Sequence, residues 1–188
     1  MSFLLRVDHE LRAWAVTHRI GWLDHPIFFL SATGLYGAVW VFIALILALV
    51  RRMLWRDLGR LVLVLLVTTM ATDYVLKPAI HRARPFQTTP DVAVIGQHSD
   101  TASFPSGHAA TAVAGAIVFT RLRPAGGAFW WLLAVAIGYS RVYLGVHYPL
   151  DVVAGALVGA ACALGVWRLT DGARGNRGGR NIAEKRTL

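Results

Sequence analysis

The chain is short of charge, of lysine, of acidic residues and of cysteine. Only 15% of its 188 residues are Asp, Glu, Lys or Arg, against 56% hydrophobic, and the mean hydropathy is +0.52. Soluble chains carry roughly 25% charged residues, so this one has too few to cover a water-facing surface, and a membrane protein follows. The single cysteine, Cys162, rules out an internal disulfide and a paired-cysteine metal site. It lies in an Ala-rich apolar run and reads as a small packing residue. No Gly-rich phosphate loop and no internal repeat is present. Ten acidic residues stand against 19 basic ones, a net charge of +9, which calls for either nucleic acid or anionic lipid nearby. The basic C-terminal stretch lacks the interleaved aromatics of a base-stacking surface. Membrane orientation and anionic lipid explain it better, and no nucleic acid partner is expected. Near the N-terminus there is no long apolar run, and Asp8 and Glu10 stand where one would be needed, which argues against a cleaved signal peptide.

What the chain has instead is apolar runs. A helix needs about 20 apolar residues to cross a hydrocarbon core of about 30 Å. Five runs qualify as expected spans: Ile27–Val50, Leu61–Ile80, the shorter Ser106–Thr120, Ala128–Val146 and Leu150–Leu169. Ahead of them Leu4, Val7, Leu11, Trp14 and Ala15 recur at helical spacing, with Arg6, Asp8, His9, Glu10 and Arg12 between. That pattern predicts an amphipathic helix in the membrane interface. The expected fold is all-α: an integral membrane helical bundle of about five transmembrane helices plus the N-terminal interfacial helix. Residues 1–170 form the membrane-embedded domain, and 171–188 form a basic, disordered tail.

Five spans make the connecting loops alternate sides. Twelve basic residues then share one side: Arg51, Arg52, Arg56, Arg60, Arg121, Arg123, Arg168, Arg174, Arg177, Arg180, Lys185 and Arg186. The positive-inside rule makes that side cytoplasmic, with the C-terminus there and the N-terminal helix on the outer face.

Three segments carry the candidate chemistry, and this topology brings all of them to the outer face. The first runs from Lys77 to Arg84 and Pro85, with two helical turns between the cations if the helix continues and a kink expected near Pro78. Arg grips phosphate oxygens in a bidentate manner, and Lys adds a point charge. The second, Pro105-Ser106-Gly107-His108, reads as a helix start, with Pro at the first helical position. Free amides there bind anions, Ser106 adds a hydroxyl donor, and His108 in the first turn is placed to act as a general acid. The third holds Ser140, Arg141, His147 and Asp151. His147 and Asp151 are four apart, and a helix restarting at Pro149 keeps them close. A carboxylate on one imidazole nitrogen leaves the other free to attack. Taken singly, each segment has a plainer reading: basic topology flanks, a capping turn, a structural His–Asp hydrogen bond. Asp73, deep in the second run, is read as an ion-pair partner that positions the Lys77 amine. His81, Asp91, His98 and Asp100 are read as solvated loop residues.

In order and spacing the three segments together resemble the signature of the type 2 phosphatidic acid phosphatase superfamily: Lys77…Arg84-Pro85, then Pro105-Ser106-Gly107-His108, then Ser140-Arg141…His147…Asp151. The resemblance covers residues 77–151. It implies a lipid phosphate phosphatase in which His147 is the nucleophile and forms a phosphohistidine. Asp151 orients it, and His108 protonates the leaving oxygen and later activates water. Lys77, Arg84, Ser106, Gly107 and Arg141 hold the phosphate, with no metal and no cofactor. Five spans behind an amphipathic helix look like the small bacterial undecaprenyl diphosphate phosphatases. This implies a multi-pass protein of the bacterial cytoplasmic membrane, its site facing outward, with a lipid phosphate as substrate. Phosphatidylglycerophosphate and phosphatidic acid phosphatases remain open alternatives, as do a lipid phosphotransferase and a non-catalytic lipid-binding protein or transporter. The five apolar runs speak against the soluble haloperoxidases that share the signature.

Overall fold

The computed structural model describes residues 3–88, 93–96 and 100–184, with the side chains of 172–184 left aside. Among the described residues every regular element is helical. Asp91 and His98 lie outside them.

The N-terminal helix α1 (Phe3–Thr17) forms as expected, but with its faces assigned differently from a simple polar-to-water reading. Asp8, Arg12 and Ala15, one stripe at helical spacing, are buried against the protein, while Phe3, Leu4, Leu11 and Trp14 are exposed. A helix that hides charges and shows apolar side chains suits a lipid-facing surface.

The first apolar run is not one helix. It divides into α2 (Asp24–Thr33) and α3 (Ala38–Leu49), bent by 54°. Close approach explains the break. A Cβ on Gly34 would lie 2.7 Å from Ile137 Cγ2, and one on Gly37, at φ 77°, would lie 2.7 Å from Leu65 Cδ2. The chain turns where it can touch α4 and α8, and Gly37 permits the left-handed backbone.

The second run is α4 (Trp55–Thr69), a π-helical segment (Met70–Leu76) and the short α5 (Lys77–Ile80). Pro78 has no N–H to give the carbonyl four residues back, at Tyr74, and the wider π turns absorb that loss. The helix stops at His81, in the left-handed region at φ 50°. Lys77 and Arg84 therefore do not share one helix face. A loop and the short α6 (Pro85–Thr88) follow.

Helix α7 (Gly107–Leu122) is the centre of the bundle and packs on α9 (Pro149–Glu184), α8 (Gly127–Tyr143) and α4. Small residues make this close packing possible. A Cβ on Gly115 would lie 2.4 Å from Trp40 Cγ, whose ring packs against Phe119 at 5.4 Å between centroids. Gly155 and Gly159, four apart on α9, meet the α7 backbone directly: added Cβ atoms would sit 2.3 Å from Ser106 O and 2.0 Å from Ala110 O. This is a small-residue crossing of the kind that lets membrane helices touch backbone to backbone.

Two stretches, Trp55–Thr88 and Pro149–Asp171, are long and apolar enough to cross a membrane, and the bent pair α2–α3 makes a third if it acts as one span. Helices α7 and α8 have 16 and 17 residues, about 24–26 Å at the usual rise, less than the hydrocarbon thickness of about 30 Å. Helix α8 ends at Tyr143, before the expected Val146. The backbone of helix α9 continues through 171–184, since extending an existing helix is easier than starting one.

The ends of the bundle separate two kinds of chemistry. At one, Arg60 donates to Asp171 at 2.8 Å, and both Arg60 and Arg121 lie over the Trp167 ring. At the other lie the three candidate segments.

Candidate active site

The connection between α8 and α9 delivers His147. Gly145, at φ 79°, allows the reversal, and Leu144, Val146, His147 and Tyr148 are all buried. Helix α9 restarts at Pro149, so Asp151 falls in its first turn, and His147 Nδ1 lies 3.4 Å from Asp151 Oδ2. The same oxygen accepts from Ser103 Oγ at 2.5 Å and from Tyr148 N at 2.9 Å. Ser103 Oγ is also 3.4 Å from His147 Nδ1. One ring nitrogen is thereby turned toward Asp151 and Ser103, and the other, Nε2, toward Arg84 Nη1 at 3.4 Å. Burial, reinforced by the charges of Arg84 and Arg141 and opposed by Asp151, lowers the His147 pKa to about 3. At neutral pH its imidazole carries no charge and keeps a free lone pair.

Arg84, only 2% exposed, is held as a clamp. Its Nε donates to Thr101 O at 2.7 Å, its Nη1 to Val146 O at 3.0 Å and its Nη2 to Thr101 Oγ1 at 3.1 Å. It thus ties the stretch before α7 to the stretch before α9. Lys77 is fixed by the expected ion pair, its Nζ 2.6 Å from Asp73 Oδ1. The π-helical segment carries Asp73 toward α7, where a Cβ on Gly107 would lie 3.1 Å from its Oδ1. Glycine at 107 is what lets the α7 N-terminus come this close.

Helix α7 begins two residues after Pro105, the expected first helical position. Ser106 is the N-cap, accepting from Ala109 N at 3.5 Å, and Pro105 precedes the cap instead of occupying the first helical position. Ser106 N donates to Asp151 O at 2.9 Å, which fastens the starts of α7 and α9 together. Arg141, in the last turn of α8, donates through Nη1 to Ser31 Oγ of α2, and its buried Nε has no partner among the described residues.

These side chains surround one cavity of about 660 Å³. Lys77, Arg84, Gly107, His108, Arg141 and His147 line it, six of the eight expected site residues. Ser106 and Asp151 stand behind this lining, completely buried. The lining also includes Phe28, Ala32, Leu35, Tyr36 and Tyr74, which make part of the wall apolar. Asp100, read from sequence as a solvated loop residue, also lines the cavity. Among the described residues no three His, Cys, Asp or Glu side chains converge as a metal-binding group. The arrangement has a neutral imidazole whose Nε2 lies beside Arg84, two further cations, Lys77 and Arg141, in the same lining, a second imidazole on a helix start, and several apolar side chains. It can hold a phosphate whose ester or anhydride carries a lipid.

Sequence reasoning missed Ser103 and Ser31. Neither stands at an informative interval from its partner, Asp151 or Arg141, and no local signal marks them. Arg82, within the first segment, has no role assigned from sequence, yet it reaches Asp151 Oδ1 at 2.6 Å.

A family model for the PAP2 superfamily matches residues 57–174. Over 84 residues the sequence is 42% identical to the bacitracin transport permease protein BcrC of Bacillus licheniformis, across 45% of this chain and 41% of that protein. The chain thus spans less than half the length of that relative. It is 32% identical over 147 residues to an undecaprenyl-diphosphatase of Sulfolobus acidocaldarius, across 76% of this chain and 68% of the other. Among solved structures, the crystal structure of a transmembrane PAP2 type phosphatidylglycerolphosphate phosphatase from Bacillus subtilis matches with a TM-score of 0.72 and 26% identity, covering 91% of this chain and 88% of that one.

Proposed function

This chain belongs to the PAP2 superfamily, and on that footing we propose that it hydrolyses undecaprenyl diphosphate to undecaprenyl phosphate and inorganic phosphate through a phosphohistidine at His147. It is a membrane-embedded phosphatase of the PAP2 type, and the lipid phosphate lies with its headgroup among Lys77, Arg84 and Arg141. The observation that carries the mechanism is the divided imidazole of His147: Nδ1 toward Asp151, Nε2 toward Arg84 and the cavity.

In the first step the Nε2 lone pair attacks the terminal phosphorus. The Nε2–P bond forms, the bond from phosphorus to the bridging oxygen breaks, and His108 gives its proton to that oxygen. Asp151 accepts from Nδ1–H and offsets the positive charge that builds on the ring. The three cations and the amides at the start of α7 stabilise the equatorial oxygens. In the second step His108 takes a proton from water, the water oxygen attacks phosphorus, the Nε2–P bond breaks, and phosphate leaves. Charge on the phosphoryl group is balanced by protein cations, without metal or other cofactor.

The choice of an isoprenoid diphosphate rests on the undecaprenyl-diphosphatase relative and on the apolar wall of the cavity. A second reading, a phosphatidylglycerophosphate phosphatase, is favoured by the likeness to the Bacillus subtilis structure over 91% of this chain. Under either reading we place the protein in a bacterial cytoplasmic membrane. The site then faces outward and the Arg-rich end of the bundle faces the cytoplasm.

The test is phosphate release by purified protein in detergent with EDTA, comparing undecaprenyl diphosphate, phosphatidylglycerophosphate and phosphatidic acid. Preference for the first supports the proposal. Preference for a glycerolipid moves the enzyme to phospholipid metabolism. No release from any of the three, in folded protein, would sink hydrolysis as the reaction.

A further inference from the structure

The mechanism leaves one buried charge cluster unused. Asp8, on α1, is 2% exposed. A carboxylate taken out of water needs compensating partners, and Asp8 has two: Oδ1 accepts from Leu150 N at 2.7 Å and Oδ2 from Arg82 Nη2 at 2.5 Å. Arg82 does not serve Asp8 alone. Its other terminal nitrogen, Nη1, donates to Asp151 Oδ1 at 2.6 Å. The guanidinium is a planar fork, and it lies 4.2 Å over the buried ring of Tyr148, which limits its tilt. Each prong holds one carboxylate.

Asp151 therefore divides its oxygens. Oδ2 faces His147, Ser103 and the Tyr148 amide, and Oδ1 faces Arg82. Arg82 also acts through its backbone, since its carbonyl accepts from Ser103 N at 2.8 Å, and the Ser103 hydroxyl goes on to Asp151. Rotation of the Asp151 carboxylate about its χ2, which would spoil its aim at His147 Nδ1, is opposed from both sides.

We propose that Asp8 and Arg82 are positioning residues of the phosphoryl-transfer site. Asp8 fixes the Arg82 fork, Arg82 fixes the Asp151 carboxylate, and the carboxylate fixes the ring of His147. The seating of α1 on the bundle thereby sets the rate at which His147 is phosphorylated. Asp8 lies outside residues 57–174, where the family model matches, so an element beyond the matched stretch completes the site. The lipid-facing residues of α1, Phe3, Leu4, Leu11 and Trp14, make the bilayer surface part of what keeps it seated. This inference rests on the reading of Asp151 as the group that orients His147.

The experiment uses the full chain in detergent and compares Asp8→Asn, Arg82→Gln, the double variant, Arg82→Lys and Asp151→Asn. For each, kcat, KM and the inhibition constant of inorganic phosphate, which reports on the hold exerted by Lys77, Arg84 and Arg141, are measured. Asp8→Asn and Arg82→Gln should each lower kcat about tenfold or more, with KM and phosphate affinity little changed. The double variant should be no slower than the slower single one, because both remove the same restraint. Arg82→Lys should recover part of the loss by keeping the charge beside Asp151, and it serves as the test if a charge-removing variant does not fold. If Arg82→Gln keeps wild-type kcat, or if the two effects multiply, the proposal is overturned. So it is if, with neither Asp8→Asn nor Arg82→Gln folding, Arg82→Lys keeps wild-type kcat. Asp151→Asn separates the two claims. When it is inactive, those outcomes overturn the positioning role alone, whereas an active Asp151→Asn overturns the mechanism beneath it.

Discussion

Arg84 Nη1 lies 3.4 Å from His147 Nε2, and the same guanidinium is held by carbonyls at Thr101 and Val146. A group bonded to Nε2 is therefore met at once by a fixed cation. Arginine stays charged throughout the working pH range, so Arg84 cannot take a proton from the histidine and acts through charge and geometry. Lysine offers one point charge and cannot hold both backbone stretches as well as a phosphate. Arg84→Lys should lower kcat/KM by about 100-fold or more, with thermal stability also reduced. Near-wild-type kcat/KM would mean that the fork geometry is irrelevant.

His147→Ala should abolish turnover, a loss of about 1,000-fold or more, while the protein still folds and binds inorganic phosphate. Rapid acid-quench of the wild type with labelled substrate should trap an acid-labile phosphoenzyme that the variant lacks. Phosphate release near the wild-type rate from purified His147→Ala would remove the covalent step.

His108→Ala should act unevenly. A poor leaving oxygen needs a proton as its bond breaks, and a good one does not. Comparing alkyl and nitrophenyl phosphate esters, the loss should be about 10- to 1,000-fold larger for the alkyl ester. An equal loss on both would count against the acid role.

Stability should depend on pH through His147. Burial lowers its pKa in the folded protein to about 3, whereas an unfolded chain titrates near the ordinary histidine value of about 6.5. Between those values the unfolded state binds a proton that the folded state does not, so stability falls as pH drops below about 6.5. Above that pH the group contributes no slope. Melting temperature in detergent should therefore decline less steeply from pH 6.5 toward pH 4 in His147→Asn than in the wild type. Parallel curves would show that His147 is not held neutral.

Gly159→Leu should loosen the crossing of α7 and α9, since even a Cβ would stand 2.0 Å from Ala110 O. Overpacking of this kind costs about 1–3 kcal/mol or more. Because Ser106 N is bonded to Asp151 O at 2.9 Å near the same crossing, activity should fall together with thermal stability. A stable, fully active variant would mean that the helices separate without disturbing the site.

Much of the site was legible before any fold was known, and the legible part is local. The His147–Asp151 pair, the Asp73–Lys77 ion pair and the helix start after Ser106 all follow from intervals of three or four residues. Helical geometry turns such intervals into contacts. The pattern of apolar runs likewise established a helical membrane protein, and the spacing of three segments indicated its family. The π-helical segment and the break between α2 and α3 were less visible. The first joins a local cause, Pro78, to the approach of Gly107 to Asp73, and the second answers Leu65 and Ile137 pressing on Gly37 and Gly34.

The amino-acid sequence by itself determined which groups are candidates for the chemistry and that they gather at one end of a helical bundle, because both are written in short-range spacing. Only the tertiary structure decided what holds those groups in place. Ser103 reaches Asp151 across 48 positions, Ser31 reaches Arg141 across 110, and Asp8 reaches the amide of Leu150 across 142. It also decided which face of α1 is buried. A helical pattern announces two faces, but hydrophobicity does not say whether protein or lipid will cover the apolar one. In α1 the buried stripe carries Asp8 and Arg12, and Asp8 can lie there because Arg82 and the α9 N-terminus supply the partners that water would otherwise provide.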